Sequence, residues 1–259
     1  MNVTLGTDPE WFLTNDGITP ISAIGKFGGT KQKPKPVPKL GKGFAWQEDN
    51  VTVEYNTPPA SSKEEWVENH LRIQEAIKDH AKSFGLKPLI KASAVFSKEE
   101  LSDPQAWVFG CEPDFNAWTL KPNPRPESED MFLRSAGGHI HVAFDGNKME
   151  KIELVRVLDY VLGVPCTLAD PDRRRQELYG KAGAFRFKKY GIEYRTPSNY
   201  WTKSKQWIEF IYTQTQYGLN AFNGGLRVAN NIQQAIDSCD MDALSAFADS
   251  GACYGPMPK

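Results

Sequence analysis

The hydrophobic pattern along the chain shifts between strand-like and helix-like periods. Residues 3–13 and 51–56 read as strands, the second stopped by Pro58-Pro59. Ser61 or Ser62 then caps a helix with Glu64 and Glu65 in its first turn. Trp66, Leu71, Ile73, Ile77 and Phe84 give that helix a partly helical apolar stripe, and Gly85 ends it. His70 and His80 lie on it among Lys, Glu and Gln and read as solvated. Residues 89–96, a part of 107–118, and 138–144 read as further strands. A helix beginning at Asn147 or Lys148 carries Ile152, Val155, Leu158, Tyr160 and Leu162. Residues 184–187 and 192–196 are two short strands around a Lys-Tyr-Gly turn. From Lys203 onward the pattern is mostly helical, with breaks near Gly224-Gly225 and Asp240. Strands occur in both halves, helices separate them, and no stretch looks like an interdomain linker. The expectation is one α+β domain over residues 1–259, an antiparallel sheet with helices on one face and an open face opposite.

Two polar stretches interrupt this pattern. Residues 20–42 hold Lys26, Lys31, Lys33, Lys35, Lys39 and Lys42 with no acid among them, and Pro34, Pro36 and Pro38 favour an extended course. A loop of this length without its own structure is usually functional or disordered. Residues 121–130 are a second polar, proline-rich loop.

Composition narrows the function classes. The 259 residues carry 31 Lys+Arg against 32 Asp+Glu, a formal net charge of −1. That balance argues against a general nucleic-acid binder. No apolar run approaches the roughly 20 residues of a membrane helix, and the N-terminus has neither a basic start nor an apolar stretch of signal type. The expectation is a soluble, cytoplasmic protein. Cys111, Cys166, Cys239 and Cys253 are scattered without a CxxC pair, which reads as reduced thiols rather than a disulfide framework or zinc site.

The informative feature is a class of i, i+2 pairs, which share one face of a strand. Asp8 and Glu10 form one; Glu112 and Asp114, His139 and His141, and Glu193 and Arg195 form others, and Glu54 stands beside Thr52 and Asn56 in the same way. Pro9 and Pro113 separate the acidic pairs, which places those strands at an edge or bulge. If the strands share one sheet, its open face collects six carboxylates, two imidazoles and Arg195. So many carboxylates need compensation, and Mg²⁺ or Mn²⁺, which prefer oxygen ligands with an occasional His, would supply it. Gly137-Gly138 before the histidines let another group approach the backbone closely.

Phosphate loops of the GxxxxGK[ST] and GxGxxG types, the GxSxG elbow and HExxH are all absent from the sequence. Residues 25–33, GKFGGTKQK, could cradle phosphate with backbone N–H groups and lysines. The run Arg173-Arg174-Arg175 reads as a helix face, while Lys181 and Arg186 are better anion-binding candidates.

Four motifs then resemble a known superfamily in the same chain order. GTDPEWFL resembles the Gly-x-Glu-x-Glu strand of glutamine synthetase and of glutamate–cysteine ligase. VEYNTPP, GGHIHVAF and GIEYRTPSNYW are similar to later strands of that superfamily, and the set spans from Gly6 to about Trp201. GCEPDFNAW and YGKAGAFRFKKYGIEYRTPS resemble the phage-type COOH·NH2 ligase (type 2) branch.

The resemblance implies a catalytic sheet binding ATP and two or three Mg²⁺ or Mn²⁺ ions, with a carboxylate activated by ATP and then attacked by an amine. Glu10 and Glu54 would hold one metal, and Asp8, His139 and Glu193 a second. Arg195 and Arg186 would bind transferring phosphate or substrate carboxylate, and His141 would contact ATP phosphates. Lys26, Lys31 and Lys181 join them as nucleotide-binding candidates. Asp8 departs from the family's usual Glu, and a second family glutamate after the Glu54 strand has no obvious match, with Asp49, Glu112 or Asp114 as replacements. Substrates would be a small-molecule or peptide carboxylate and an amine, with no membrane or nucleic-acid partner, in the cytoplasm of a host cell if the protein is phage-encoded. A phosphotransferase on the same scaffold, a non-catalytic nucleotide-binding protein and nucleic-acid binding through the lysine loop remain open.

Overall fold

The structure, a computed structural model, describes residues 3–108, 114–124 and 129–259. Among these residues the strands run β1 (Leu5–Thr7), β2 (Glu10–Thr14), β3 (Lys35–Pro36), β4 (Ala45–Asp49), β5 (Thr52–Asn56), β6 (Lys87–Leu89), β7 (Ser93–Val95), β8 (Phe115–Asn116), β9 (Lys121–Pro122), β10 (Leu133–Ser135), β11 (Ile140–Ala143), β12 (Ala184–Lys188) and β13 (Gly191–Tyr194). The helices are α1 (Lys63–Lys82), α2 (Lys148–Leu158), α3 (Val164–Ala169), α4 (Arg173–Leu178), α5 (Lys205–Asn223), α6 (Asn231–Ser238) and α7 (Met241–Phe247). None of the described helices is long and apolar enough to cross a membrane.

The antiparallel α+β expectation holds, but the strands do not share one sheet. A six-stranded sheet has the order β1-β11-β13-β12-β8-β9, and a five-stranded sheet the order β3-β4-β5-β2-β6. The first strand-like segment, read as continuous over residues 3–13, breaks at Asp8-Pro9: β1 pairs with β11 in the larger sheet and β2 with β5 in the smaller. Proline has no N–H for a ladder, which makes the break natural there. The Pro9 carbonyl instead accepts from Tyr55 N at 3.1 Å, and Leu5 exchanges two backbone bonds with Ala60. The two sheets therefore meet at the Asp8–Glu10 kink. Residues 89–96 also divide, into β6 beside β2 and β7 beside β10.

Alternation along the strands fixes which faces are covered. In the larger sheet Ile140, Val142, Phe185, Ile192 and Tyr194 pack on Leu154, Val155 and Leu158 of α2 and on Ile208 and Ile211 of α5. In the smaller sheet Trp11, Leu13, Val53 and Tyr55 pack on Ile73, Ala76 and Ile77 of α1. Helix α1 begins as its sequence suggests, with the Ser62 hydroxyl accepting from Glu65 N at 3.1 Å. Asn147 and Glu150 form a reciprocal capping box on α2.

His70 and His80 are not solvated. His70 is fully buried between Trp66, Tyr55 and Trp201. His80 packs on Phe27 and Trp46 and contacts the Lys26 carbonyl at 2.9 Å. Cys166 and Cys239 are buried and Cys253 half-buried, all three with free thiols, while Cys111 lies outside the described residues.

Candidate active site

The faces turned away from the helices meet at the kink. A row of cross-strand partners crosses the larger sheet: Gly6 opposite His141, His141 opposite Glu193, and Glu193 opposite Arg186. Glu10 and Glu54 are cross-strand partners in the smaller sheet. Their neighbours Trp11, Val53 and Tyr55 point to α1, so the two carboxylates point the other way.

These side chains form two clusters of potential ligands. Atoms of Asp8, His141 and Glu193 lie within 4.8 Å of one another, as do those of Glu10, Asp49 and Glu54. The first cluster is ringed by cations. Glu193 accepts from Arg195 on Oε1, with Arg186 Nη1 at 3.4 Å, and Lys188 Nζ lies 2.6 Å from its Oε2. Asp8 Oδ1 lies 3.1 Å from His139 Nδ1 and 3.2 Å from His141 Nε2. Burial and the nearby Asp8 charge would raise Glu193, but Arg195, His139 and His141 overcome them and hold it at about 2. Burial opposes ionisation of Asp8 as well, yet the two histidines keep it well below its ordinary value. His141 is raised: burial works against its charge and the Asp8 carboxylate prevails. His139 is lowered, by burial and by the Arg195 charge.

The second cluster has little such compensation. Burial, then repulsion from Asp49, pushes Glu10 up to about 7, against a hydrogen bond from Gly137 N at 2.8 Å and the charge of Arg195. Glu54 is raised well above its ordinary value by burial and by the charges of Asp8, Asp49 and Glu10. Three acids in an all-oxygen set, held together against repulsion, fit a small hard divalent cation.

The Gly-Gly-His loop stitches the clusters together. Glu10 N donates to the Gly137 carbonyl at 2.9 Å, and the Thr7 hydroxyl donates to the His139 carbonyl at 2.7 Å. A Cβ on Gly137 would meet His139 Nε2 at 2.4 Å, and one on Gly138 would meet the Ser198 carbonyl oxygen at 2.3 Å. The glycines are therefore needed for close approach.

Several sequence-stated candidates fall elsewhere, and others were missed. Lys31 lines the cleft beside Glu10, together with Asp49, Arg134, Tyr179, Arg186 and Arg195. Lys26 does not; its ammonium donates to the Ser22 carbonyl at 2.6 Å. The 25–33 segment is no vacant phosphate cradle, because Glu48 already accepts from the N–H groups of Gly25, Phe27 and Gly28 at 2.6 to 3.0 Å. Residues 20–42 are tied down by buried Ala23, Phe27 and Val37. Lys181 lies outside the cleft lining and near Asp237. Asp114, expected at a metal, accepts from Arg195 Nε at 3.3 Å and from Asn123 Nδ2 at 2.9 Å. Glu112 lies outside the described residues.

Arg175, read as part of a helix face, is buried. Its guanidinium donates to the Thr196 carbonyl at 2.8 Å, the Pro197 carbonyl at 2.9 Å and the Ala136 carbonyl at 3.3 Å. It thus fixes the backbone on both sides of the cleft, next to Arg195 and Gly137. Lys188 is two residues from Arg186, so the i, i+2 rule applied to Arg186 would have found it. Tyr190, whose hydroxyl lies 2.8 Å from His141 Nδ1, carries no comparable signal.

Comparison with known proteins adds a family-model match over about a third of the chain and a fold. Residues 128–213 match the family model described as phage phiEco32-like COOH.NH2 ligase, type 2. That stretch includes both histidines, Arg175, Arg186, Glu193 and Arg195, and the match bears out the resemblance read from the motifs. No curated protein matches the sequence. Among solved structures, one titled GmaS/ADP complex is 13% identical with a TM-score of 0.51, covering 98% of this chain and 66% of that one. Apo GmaS is 13% identical at 0.48, covering 96% of this chain and 68% of that one. A structure titled as a novel glutamine synthase homolog is 13% identical at 0.45, covering 95% and 62%. The ADP-complex likeness shows that this chain shares the fold of that structure; the two lower scores add nothing to it. The chain spans about two thirds of the length of these structures.

Proposed function

We propose that this chain, which carries the carboxylate–amine ligase pattern in its second half, joins a carboxylate to an amine at the expense of ATP. The observation that carries the proposal is the pairing of two unlike clusters at one kink: an acid trio short of positive charge beside an Asp–His–Glu group ringed by arginines and lysine. Phosphoryl transfer to a carboxylate brings anions together, so its barrier is mostly charge and positioning. Glu10, Asp49 and Glu54 would hold one divalent cation, and Asp8, His141 and Glu193 would hold a second, with His139 beside them. Bound there, Mg²⁺ or Mn²⁺ would neutralise phosphate charge.

Arg186, Lys188 and Arg195 face the same region and supply fixed positive charge to the transferring group and the substrate carboxylate. Lys31 lines the cleft where polyphosphate would lie. Activation would give an acyl phosphate, which the amine attacks with loss of inorganic phosphate. The GmaS likeness, seen in an ADP complex for that protein, agrees with a nucleotide in this fold.

The deciding experiment is phosphate release with ATP and Mg²⁺ or Mn²⁺ across amino acids, polyamines and peptides. The expected result is release that needs both a carboxylate and an amine, with the condensed amide found by mass spectrometry. A stable phosphorylated product without an amide would make the protein a phosphotransferase instead. No ATP turnover across the panel would refute both.

A further inference from the structure

The sheet face behind Glu10 carries a second cavity, of about 450 Å³, that the ligase chemistry does not use. Trp11 forms its floor with Leu86, Pro88 and Ile90. Four exposed lysines surround that floor: Lys78, Lys82, Lys87 and Lys203. Lys78 and Lys82 stand one turn apart on α1, Lys87 opens β6, and Lys203 ends the short turn after Trp201. They come from three separate elements, so the fold and not local sequence gathers them.

Charge around the cavity is lopsided. Lys78 has an exposed acidic partner, Glu75, at 3.8 Å. Among the described residues, Lys82, Lys87 and Lys203 have no acid within ion-pair distance. The ammonium of Lys203 donates to the Tyr200 hydroxyl and sits 3.6 Å from the Tyr200 ring centre, which leaves its other N–H bonds for a ligand. Gln74, on the same helix face, is already committed: its amide donates to the Tyr55 hydroxyl at 3.2 Å and to the Thr202 carbonyl at 3.1 Å. The polar groups left to meet a ligand are therefore cationic, and the surface beneath them is apolar. A volume of this size falls within the roughly 300–1,000 Å³ typical of small-molecule sites.

We infer that this cavity binds an organic anion with an apolar body, its body on Trp11, Leu86 and Ile90 and its charge among the lysines. A bare inorganic anion would leave the floor wet, and a neutral apolar molecule would leave the ammonium groups unmatched. The site is distinct from the catalytic cleft, because Trp11 and Glu10 are consecutive strand residues and face opposite sides. It is also mechanically close to it. Trp11 Nε1 donates to the Thr202 hydroxyl at 2.8 Å, that hydroxyl donates to the Asn199 carbonyl at 2.6 Å, and Asn199 Nδ2 donates to the Glu10 carbonyl at 2.7 Å. An occupant leaning on Trp11 and Thr202 thus sits behind the backbone of a candidate metal-binding acid.

The test uses the full chain and 1-anilinonaphthalene-8-sulfonate, an aromatic sulfonate whose fluorescence rises in apolar surroundings. The expected result is saturable binding of one probe per chain. Lys82→Glu with Lys203→Glu should weaken it about tenfold. Lys63→Glu with Lys98→Glu makes the same change in net charge at exposed positions away from the cavity and should leave it unchanged. Circular dichroism establishes that both variants fold. Sodium benzoate should displace the probe at lower concentration than inorganic phosphate. Absence of saturable binding, equal loss in both charge variants, or equal displacement by phosphate and benzoate would each overturn the inference. None of these readouts depends on ligase activity, so the proposed function and this site fail separately.

Discussion

The two acidic clusters lie side by side, yet they solve the same electrostatic problem in opposite ways. Around Asp8 and Glu193 the fold supplies the countercharge itself, through Arg195, Arg186, Lys188 and the histidines, and both carboxyls are held below their ordinary values. Around Glu10, Asp49 and Glu54 it supplies one backbone N–H and the more distant charge of Arg195, with no ion pair to these three acids among the described residues, and Glu10 and Glu54 are pushed up. A site that is self-compensated is stable as it stands. A site that is not compensated stores repulsion, and the natural way to release it is a bound cation. The difference predicts which carboxylates serve the fold as well as the chemistry, and which work against the fold until loaded.

The largest expected effect separates the clusters directly. Glu193→Ala and Glu54→Ala should each lower ATP turnover by at least about a thousandfold, measured as phosphate release. Their stabilities should diverge. Glu193→Ala leaves buried Arg195 with Asp114 as its remaining acid and should cost about 1.5–3 kcal/mol in metal-free denaturant unfolding, whereas Glu54→Gln should be neutral or stabilising because it removes a repelling charge. Equal losses would break the comparison.

Next in size is the effect of metal. Mg²⁺ or Mn²⁺ at about a hundred times its Kd should stabilise the wild-type chain by about 2.7 kcal/mol, read as a rise in the thermal midpoint. Glu54→Gln should lose most of that rise.

A smaller, separable effect comes from His70, a buried base without a charged partner. Burial lowers it to about 3, so it stays neutral in the fold while the unfolded chain protonates near its ordinary 6.5. Its contribution is therefore complete above pH 6.5 and is lost as pH falls toward 3, about 2 kcal/mol of it by pH 5. His70→Gln should show a correspondingly flatter stability profile between pH 7 and 5, and a slope equal to wild type would count against the assignment.

The smallest effects should come from residues that position the compensated cluster. Arg175→Lys, which removes the forked contact to the carbonyls flanking Arg195, should reduce turnover by roughly tenfold to a hundredfold. Tyr190→Phe should cost only a few-fold and shift the pH profile of turnover through His141. An unchanged profile would show that the Tyr190 hydroxyl does not set the His141 proton.

How much of this was legible in sequence depended on the range of the interaction. The strand pairs Glu193–Arg195 and His139–His141 were visible because side chains two apart share a face. The cap at Ser62 and the glycines before His139 were visible for equally local reasons. Asp49 was visible as one of three replacements for a missing acid, with nothing in the sequence to choose among them; the β4–β5 hairpin brings it to Glu54. Lysine-rich residues 20–42 misled, because composition does not disclose that Glu48 from a neighbouring strand fills the N–H groups of that loop. Arg175 was hidden among exposed arginines, since burial of one guanidinium depends on carbonyls from residues 136, 196 and 197.

By itself the sequence determined the α+β class, most strand and helix positions, the ligase-family resemblance and the residue types gathered for the site. The class and the element positions follow from periodicity, capping and spacing, which act within a few residues, while the resemblance rests on the four ordered motifs. The tertiary structure decided that the first strand divides at Asp8-Pro9 between two sheets, that the acids sort into a compensated and an uncompensated cluster, and that four lysines meet behind Trp11. Those outcomes rest on Coulomb forces and desolvation between residues far apart in the chain, and only the folded arrangement sets their distances.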